Sequence, residues 1–176
     1  MRTEFDAGDV SRIVKEMALR IAGDLASAGA LNVIGIRTRG EVVAARLADL
    51  MASAGIGPIG RGVLDITMYR DDLSEIGPTP LVRPTNIHVD ISGRPLLLVD
   101  DVLFTGRSVR AALNALGDLG RPSVIRLAVL ADRGGRELPI QADYVGLKLN
   151  DVPVDYRVNV RLTETDGRDQ ILVEPR

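Results

Sequence analysis

The chain has no cysteine and no tryptophan, and aromatic residues make up only 3% of its 176 residues. Without thiols, disulfides and thiolate metal sites are excluded. With so few aromatics, Val, Leu, Ile and Ala must build the core, and 45% apolar residues are enough for one. Histidine occurs once, as His88, with no metal-ligand partner at suggestive spacing, so an edge or surface position is expected for it. Lysine occurs only as Lys15 and Lys148, and arginine carries the remaining positive charge. Neither sign is in excess: the formal net charge is −2, which gives no global attraction to nucleic acid, so any such site must be a local basic patch. No apolar run approaches the roughly 18 residues of a membrane span. The first six residues also lack the apolar stretch of a signal peptide, so no membrane association is expected and the expected compartment is the cytoplasm. Repeats, low-complexity tracts and linkers are missing too, and residues 1–176 read as a single domain.

What is present alternates between two periods. Asp9 or Ser11 can cap a first helix whose apolar face is Val10, Ile13, Val14, Met17, Ile21 and Leu25, ending by Gly29. Residues 31–36 form a short apolar run, expected as a buried strand, followed by a loop over 37–40. Val42, Val43, Leu47 and Leu50 mark a second helix, closed near 55–58, and residues 63–69 alternate like a strand. Residues 70–86 are charged and hold three prolines, which predicts a flexible loop or hairpin. Further strands are expected over 95–99 and 124–130, with a helix marked by Val109, Ala112, Leu113 and Leu116 between them. Short strands over 144–149 and 156–162 follow. Strands alternating with helices predict an α/β fold with a central parallel sheet flanked by helices. Ligands of such sheets bind at the carboxyl ends of the strands.

The chemistry concentrates in Val99-Asp100-Asp101-Val102-Leu103-Phe104-Thr105-Gly106-Arg107-Ser108. A buried strand delivers two adjacent carboxylates to its carboxyl end, and a helix begins near Gly106. N–H groups at a helix start point outward, and the helix dipole favours an anion. Gly106 allows close backbone approach to a phosphate, and Thr105 and Ser108 add hydroxyl donors. The unit offers an acceptor for a diol beside a cradle for a monophosphate, and ribose 5-phosphate has that shape.

This run resembles the binding motif for 5-phosphoribosyl-1-pyrophosphate (PRPP) of the type I phosphoribosyltransferases. The resemblance implies that family's fold, with a small hood and a flexible flap over 70–86. It implies that Asp100 and Asp101 bind the ribose hydroxyls, with Asp101 nearest the reacting centre, and that residues 102–108 hold the 5-phosphate of PRPP or of UMP. Gly35-Ile36-Arg37-Thr38-Arg39-Gly40-Glu41 resembles the pyrophosphate loop of a bifunctional branch of that family, which joins uracil phosphoribosyltransferase activity to regulation of pyrimidine operons. Residues 65–73, 129–134 and 136–144 also look like that branch. Pyrophosphate contacts are therefore expected from Thr38, Arg39, Gly40 and Arg70, with Arg39 joining the two aspartates in catalysis and a cis peptide common in the loop. The base is expected near Ala131, Asp132 and Arg133. Magnesium would be bound mainly through PRPP, with no dedicated protein metal site.

The same resemblance implies a second activity, binding of a pyrimidine-operon messenger RNA leader, favoured by UMP, on the basic face of a homodimer or higher homo-oligomer. Arg12, Lys15 and Arg20 on the first helix, with Arg133, Arg136 and Lys148, are the residues available for that face. Gly135, Leu19 and Gly23 depart from the polar residues that the resembled proteins carry there. Three functions stay open from the sequence: a uracil phosphoribosyltransferase that also regulates through RNA, the enzyme without regulation, and a nucleotide-sensing regulator with little catalysis. A purine base is disfavoured by the matches at 65–73 and 136–144.

Overall fold

The computed structural model describes residues 3–69 and 85–176. In chain order it contains β1 (Thr3–Phe5), α1 (Ala7–Leu25), β2 (Leu31–Ile36), α2 (Arg39–Ser53), β3 (Ile59–Leu64), a 3-10 turn (Thr67–Tyr69) and β4 (Asn86–Ile87). Then come β5 (Pro95–Leu103), α3 (Arg107–Leu119), β6 (Val124–Asp132), β7 (Tyr144–Lys148), β8 (Tyr156–Arg161), α4 (Thr163–Asp166) and β9 (Gln170–Pro175). The central sheet has the order β4-β3-β2-β5-β6-β7. All its pairings are parallel except that of edge strand β4 with β3, so the sheet expected to be parallel is mixed. His88 directly follows this edge strand.

Alternation along the buried strands sends side chains to two cores. Val33, Leu97, Val99, Ala128 and Leu130 face α1 and α2, against Ile13, Met17, Ile21, Leu47 and Met51. Ile34, Ile36, Leu96, Leu98, Leu127 and Val129 face α3, against Val109, Ala112 and Leu116. The small hood is an antiparallel sheet of order β1-β9-β8, joined to the first core through Val160, Leu162 and Ile171. Its strands β1 and β9 lie outside the predicted elements.

Several boundaries differ from expectation. The cap of α1 is Asp6, not Asp9 or Ser11: Asp9 is the reciprocal member of a capping box, so it lies inside the first turn. The helix α2 starts at Arg39, which shortens the expected loop to two residues. The strand expected over 63–69 is β3, which begins at Ile59, pairs from Leu31↔Ile59 to Ile36↔Leu64 and stops where β2 stops. Gly60 and Gly62 break its apolar pattern because a Cβ there would meet Asn32 and Ile34 at 2.2 and 2.7 Å. Both β5 and β6 run past their expected ends because they keep pairing through Asp100↔Val129 and Leu103↔Asp132. The expected flap falls outside the described residues from 70 to 84, which includes Arg70.

Candidate active site

The carboxyl ends of β2, β3 and β5 open into one cleft of about 450 Å³, lined by Arg37, Thr38, Arg39, Asp65, Thr67, Asp100, Asp101 and Ser108 among others. Two glycines set its width. A Cβ on Gly35 would lie 2.4 Å from Glu41 Cα, so β2 turns directly under the start of α2. A Cβ on Gly40 would lie 2.7 Å from the Val99 carbonyl oxygen, so the α2 start rests on the backbone that carries the acidic pair. The cleft thus brings together the two loops that the sequence reading placed on ribose and pyrophosphate.

Within the pair the two carboxylates differ. Asp100 is 7% exposed and accepts a hydrogen bond from the Asp101 amide at 2.9 Å. Burial, then the neighbouring Asp101 carboxylate, pushes the Asp100 carboxyl well above the ordinary range. Asp101 is half-buried and lines the cleft. From Leu103 the chain turns through Phe104 and Thr105 to Gly106, the cap of α3, at φ 93°. That left-handed conformation suits glycine, and a Cβ there would crowd Ile140 at 3.3 Å. Residues 102–109 with Asp100 line a smaller hollow of about 120 Å³ at the helix start. The Thr105 hydroxyl accepts from the Arg107 amide at 3.3 Å, and the Arg107 guanidinium pairs with Glu137 at 2.7 Å. The loop over residues 103–107 is therefore braced by the segment after β6, whose Glu137 and Leu138 amides both donate to the Thr105 carbonyl.

On the other side of the cleft the Arg37–Thr38 peptide is cis. Thr38 caps α2 without a side-chain bond of its own. Arg39, in the first turn, sends its fork to the hood: Nε and Nη2 donate to Asp166 at 3.0 and 2.7 Å. Hydrogen bonding to Arg39 holds the Asp166 carboxyl far below the ordinary range, and the Asp101 charge also favours the arginine cation. Two turns on, Arg46 grips Glu164 and Asp169, each at 2.6 Å. These hood carboxylates escaped the sequence reading. Their signal is an acidic cluster at 164, 166 and 169 facing arginines seven apart on one helix, legible only once the elements are docked.

A separate hollow lies at the end of β6, the strand next to β5. Ala131 and Asp132 are buried, and residues 132–136 with 148–152 line a hollow of about 580 Å³. Asp132 accepts from the Gly134 amide at 2.9 Å and from Arg136 at 2.6 Å. Arg133 is 7% exposed, stacks 3.9 Å from the Phe104 ring centroid and donates to the Tyr156 and Pro153 carbonyls. Burial, then the Arg176 charge, lowers its pKa. The Phe104 ring packs inward under Gly135, where a Cβ would meet it at 2.6 Å. Among the described residues no cluster of three or more His, Cys, Asp or Glu could hold a metal ion.

The residues expected to face RNA divide into two groups. Arg133 and Arg136 are not presented outward: Arg136 spends its donors on Asp132, the Phe104 carbonyl and the Ile140 carbonyl. Both brace the segment after β6, which leaves fewer of their donors for a basic face. Arg12, Lys15 and Arg20 lie on the exposed face of α1, and Lys148 is exposed at the end of neighbouring β7. Arg12 pairs with Asp9 and Glu16, and Arg20 donates to the Val145 carbonyl at 2.8 Å.

The phosphoribosyl transferase domain family matches residues 4–161. The Bifunctional protein PyrR of Chloroflexus aurantiacus is 55% identical over 143 residues, 80% of this chain and 77% of that protein. That of Roseiflexus sp. is 51% identical over 164 residues, 92% of this chain and 88% of that protein. The fold is that of the hypoxanthine phosphoribosyltransferase of Trypanosoma cruzi, at TM-score 0.72 and 21% identity over 98% of this chain and 95% of that one. A hypoxanthine-guanine phosphoribosyltransferase from Bacillus anthracis gives TM-score 0.67 at 16% identity, covering 99% of each. At such identities the two structures speak to fold and not to choice of base.

Proposed function

Because the chain belongs to the PyrR family of phosphoribosyl transferase domains, we propose that it transfers the 5-phosphoribosyl group of PRPP to uracil, giving UMP and pyrophosphate, and binds a pyrimidine-operon leader RNA in response to UMP. The observation that carries the first activity is the cleft in which an acidic pair and the cis-peptide loop face one another, with the helix-start hollow adjoining it through Asp100, Val102 and Ser108.

The geometry supports a division of labour. Residues 102–108 hold the 5-phosphate at the start of α3, where the helix dipole and Gly106 favour an anion. Asp100 and Asp101 accept from the ribose hydroxyls. The α2 start, through Thr38, Arg39 and Gly40, holds the pyrophosphate; the contact expected from Arg70 lies outside the described residues. The base lies in the hollow between residues 131–133 and the segment 148–152. A uracil nitrogen then forms a bond to ribose C1 as the bond from C1 to pyrophosphate oxygen breaks. The pyrophosphate leaves with the bonding electrons and the base nitrogen loses its proton. The cation-like ribose at the midpoint needs a negative neighbour, and Asp101 is that residue. No protein nucleophile takes part; the work is positioning and electrostatics.

Magnesium fits this site. Asp100 and Asp101 put adjacent carboxylate oxygens on the cleft, the donor chemistry that magnesium prefers. When bound, the ion would neutralise charge on PRPP, held mainly by substrate oxygens beside Asp100 and Asp101. The test is to incubate the purified protein with PRPP, uracil and magnesium and to follow both products. UMP and pyrophosphate in equal amounts, lost when magnesium is chelated, support the reading; no UMP contradicts it.

The RNA-binding part rests on α1. Gly146 lets α1 pack close on β7, since a Cβ there would meet Met17 and Ile13 at 2.5 and 2.6 Å. Arg12, Lys15 and Arg20 therefore share a surface with Lys148. A homodimer or higher homo-oligomer would double that surface. Binding of leader RNA, measured with and without UMP at a stated salt concentration, tests it. Binding no tighter than to a scrambled RNA leaves the transferase alone.

A further inference from the structure

We propose that Asp166, a residue of the hood, is the positioning residue for Arg39: its carboxylate takes one edge of the guanidinium and leaves the remaining donors to address the pyrophosphate of the substrate. The inference rests on the transferase reading above. It adds a residue outside every loop so far assigned to the substrate.

Two N–H groups of Arg39, on Nε and Nη2, are spent on Asp166 at 3.0 and 2.7 Å. A guanidinium carries five such donors in a rigid plane, so fixing one edge fixes the direction of the others. Arg39 also lines the cleft beside Thr38, Asp100 and Asp101, so that direction matters to anything bound there. Asp166 is itself fixed. Its Oδ2 accepts from the Leu162 amide at 2.9 Å and from the Thr165 hydroxyl at 2.6 Å, which places the carboxylate before any substrate arrives. Its depressed pKa keeps it ionised throughout the neutral range.

The hood segment is tied down a second time, by Arg46 on Glu164 and Asp169. Changing Asp166 therefore leaves α4 docked while releasing Arg39. A released Arg39 has an attractive anion close by in Asp101, whose charge already favours the arginine cation. It would turn toward that carboxylate, away from the pyrophosphate. An arginine held in advance loses less freedom when it binds, so the loss should appear in binding of the pyrophosphate end.

The experiment is steady-state kinetics of Asp166→Asn, an isosteric change whose amide oxygen still accepts from Leu162 and Thr165 while its NH2 replaces the oxygen that accepts from Arg39 Nη2. The KM for PRPP and the inhibition constant of pyrophosphate should both rise about tenfold, while kcat and the KM for uracil stay within about twofold, the pattern of lost uniform binding. Glu164→Gln is the control: it loosens the Arg46 clamp, lowers Tm and should leave both pyrophosphate-end constants at wild-type values. Should Asp166→Asn fail to fold by circular dichroism, Asp166→Ser, which keeps an acceptor for Leu162, takes its place with the same expectation. Wild-type constants for the Asp166 variant would overturn the inference, as would an equal rise in Glu164→Gln, which would reduce Asp166 to docking the hood. Absence of UMP formation by the wild-type protein would instead overturn the transferase reading.

Discussion

Gly40→Ala tests whether the two substrate loops are registered against each other through backbone contact. The added Cβ would lie 2.7 Å from the Val99 carbonyl oxygen and 3.0 Å from Asp100 Cα. Both are main-chain atoms, so no side chain can swing aside. To reach ordinary contact near 3.4 Å the α2 start must retreat by about 0.7 Å from the acidic pair. Stability changes little: alanine in a helix gains about 1 kcal/mol over glycine, against roughly 1–3 kcal/mol for overpacking. Catalysis suffers more, because a misplacement approaching 1 Å can cost about 100-fold. The expected result is a kcat/KM for PRPP reduced roughly 30- to 100-fold, at a Tm within a few degrees of wild type. Gly23→Ala is the matched control, since nothing lies within 4 Å of its added Cβ on α1, and it should leave kcat/KM unchanged. A Gly40→Ala protein with wild-type kcat/KM would show that the loops are not held in register by this contact.

Three further outcomes are expected. Asp101→Asn lowers kcat at least about tenfold with circular dichroism unchanged, because the carboxylate facing the cleft loses its charge; unchanged turnover would remove it from the mechanism. Arg136→Ala, which strips the charged partner from the buried Asp132 and a donor from the Phe104 carbonyl, destabilises by roughly 3 kcal/mol in urea unfolding, and a loss under about 1 kcal/mol would contradict the bracing role. Arg46 holds the Asp169 carboxyl at about pKa 2, below its unfolded value, so the pair's stabilisation is complete above about pH 4 and is lost as the pH falls toward 2. The stability gap between wild type and Arg46→Ala should therefore narrow over that window, and a gap independent of pH would contradict the pairing.

Much of the site was legible because its parts are local in sequence. The acidic pair, Thr105, Gly106 and Ser108 lie within one strand-loop-helix unit, and their order alone announces a phosphate and a diol. The strand β2 was readable to the residue, since all six of its residues are buried. By contrast, β3 carries glycines where its neighbours approach closely, which hides it from apolar periodicity. The hood was only partly visible, because β1 pairs with β9 across nearly the whole chain. Charge was the least legible quantity. Arg133 and Arg136 read as surface cations, yet one is buried on Phe104 and the other is committed to Asp132 and backbone carbonyls. The partner of Arg39 stands 127 residues away, beyond any local pattern.

A cleft that serves a PRPP-dependent transferase selective for uracil must distinguish uracil from purine bases. That selectivity is tested most directly by initial rates on one preparation, with PRPP and magnesium fixed and uracil, hypoxanthine and guanine supplied in turn. UMP formation with uracil and at least about 100-fold lower kcat/KM for either purine are expected, the scale on which unmet hydrogen-bonding groups discriminate. Comparable or faster turnover of a purine, or no turnover of uracil, would contradict it.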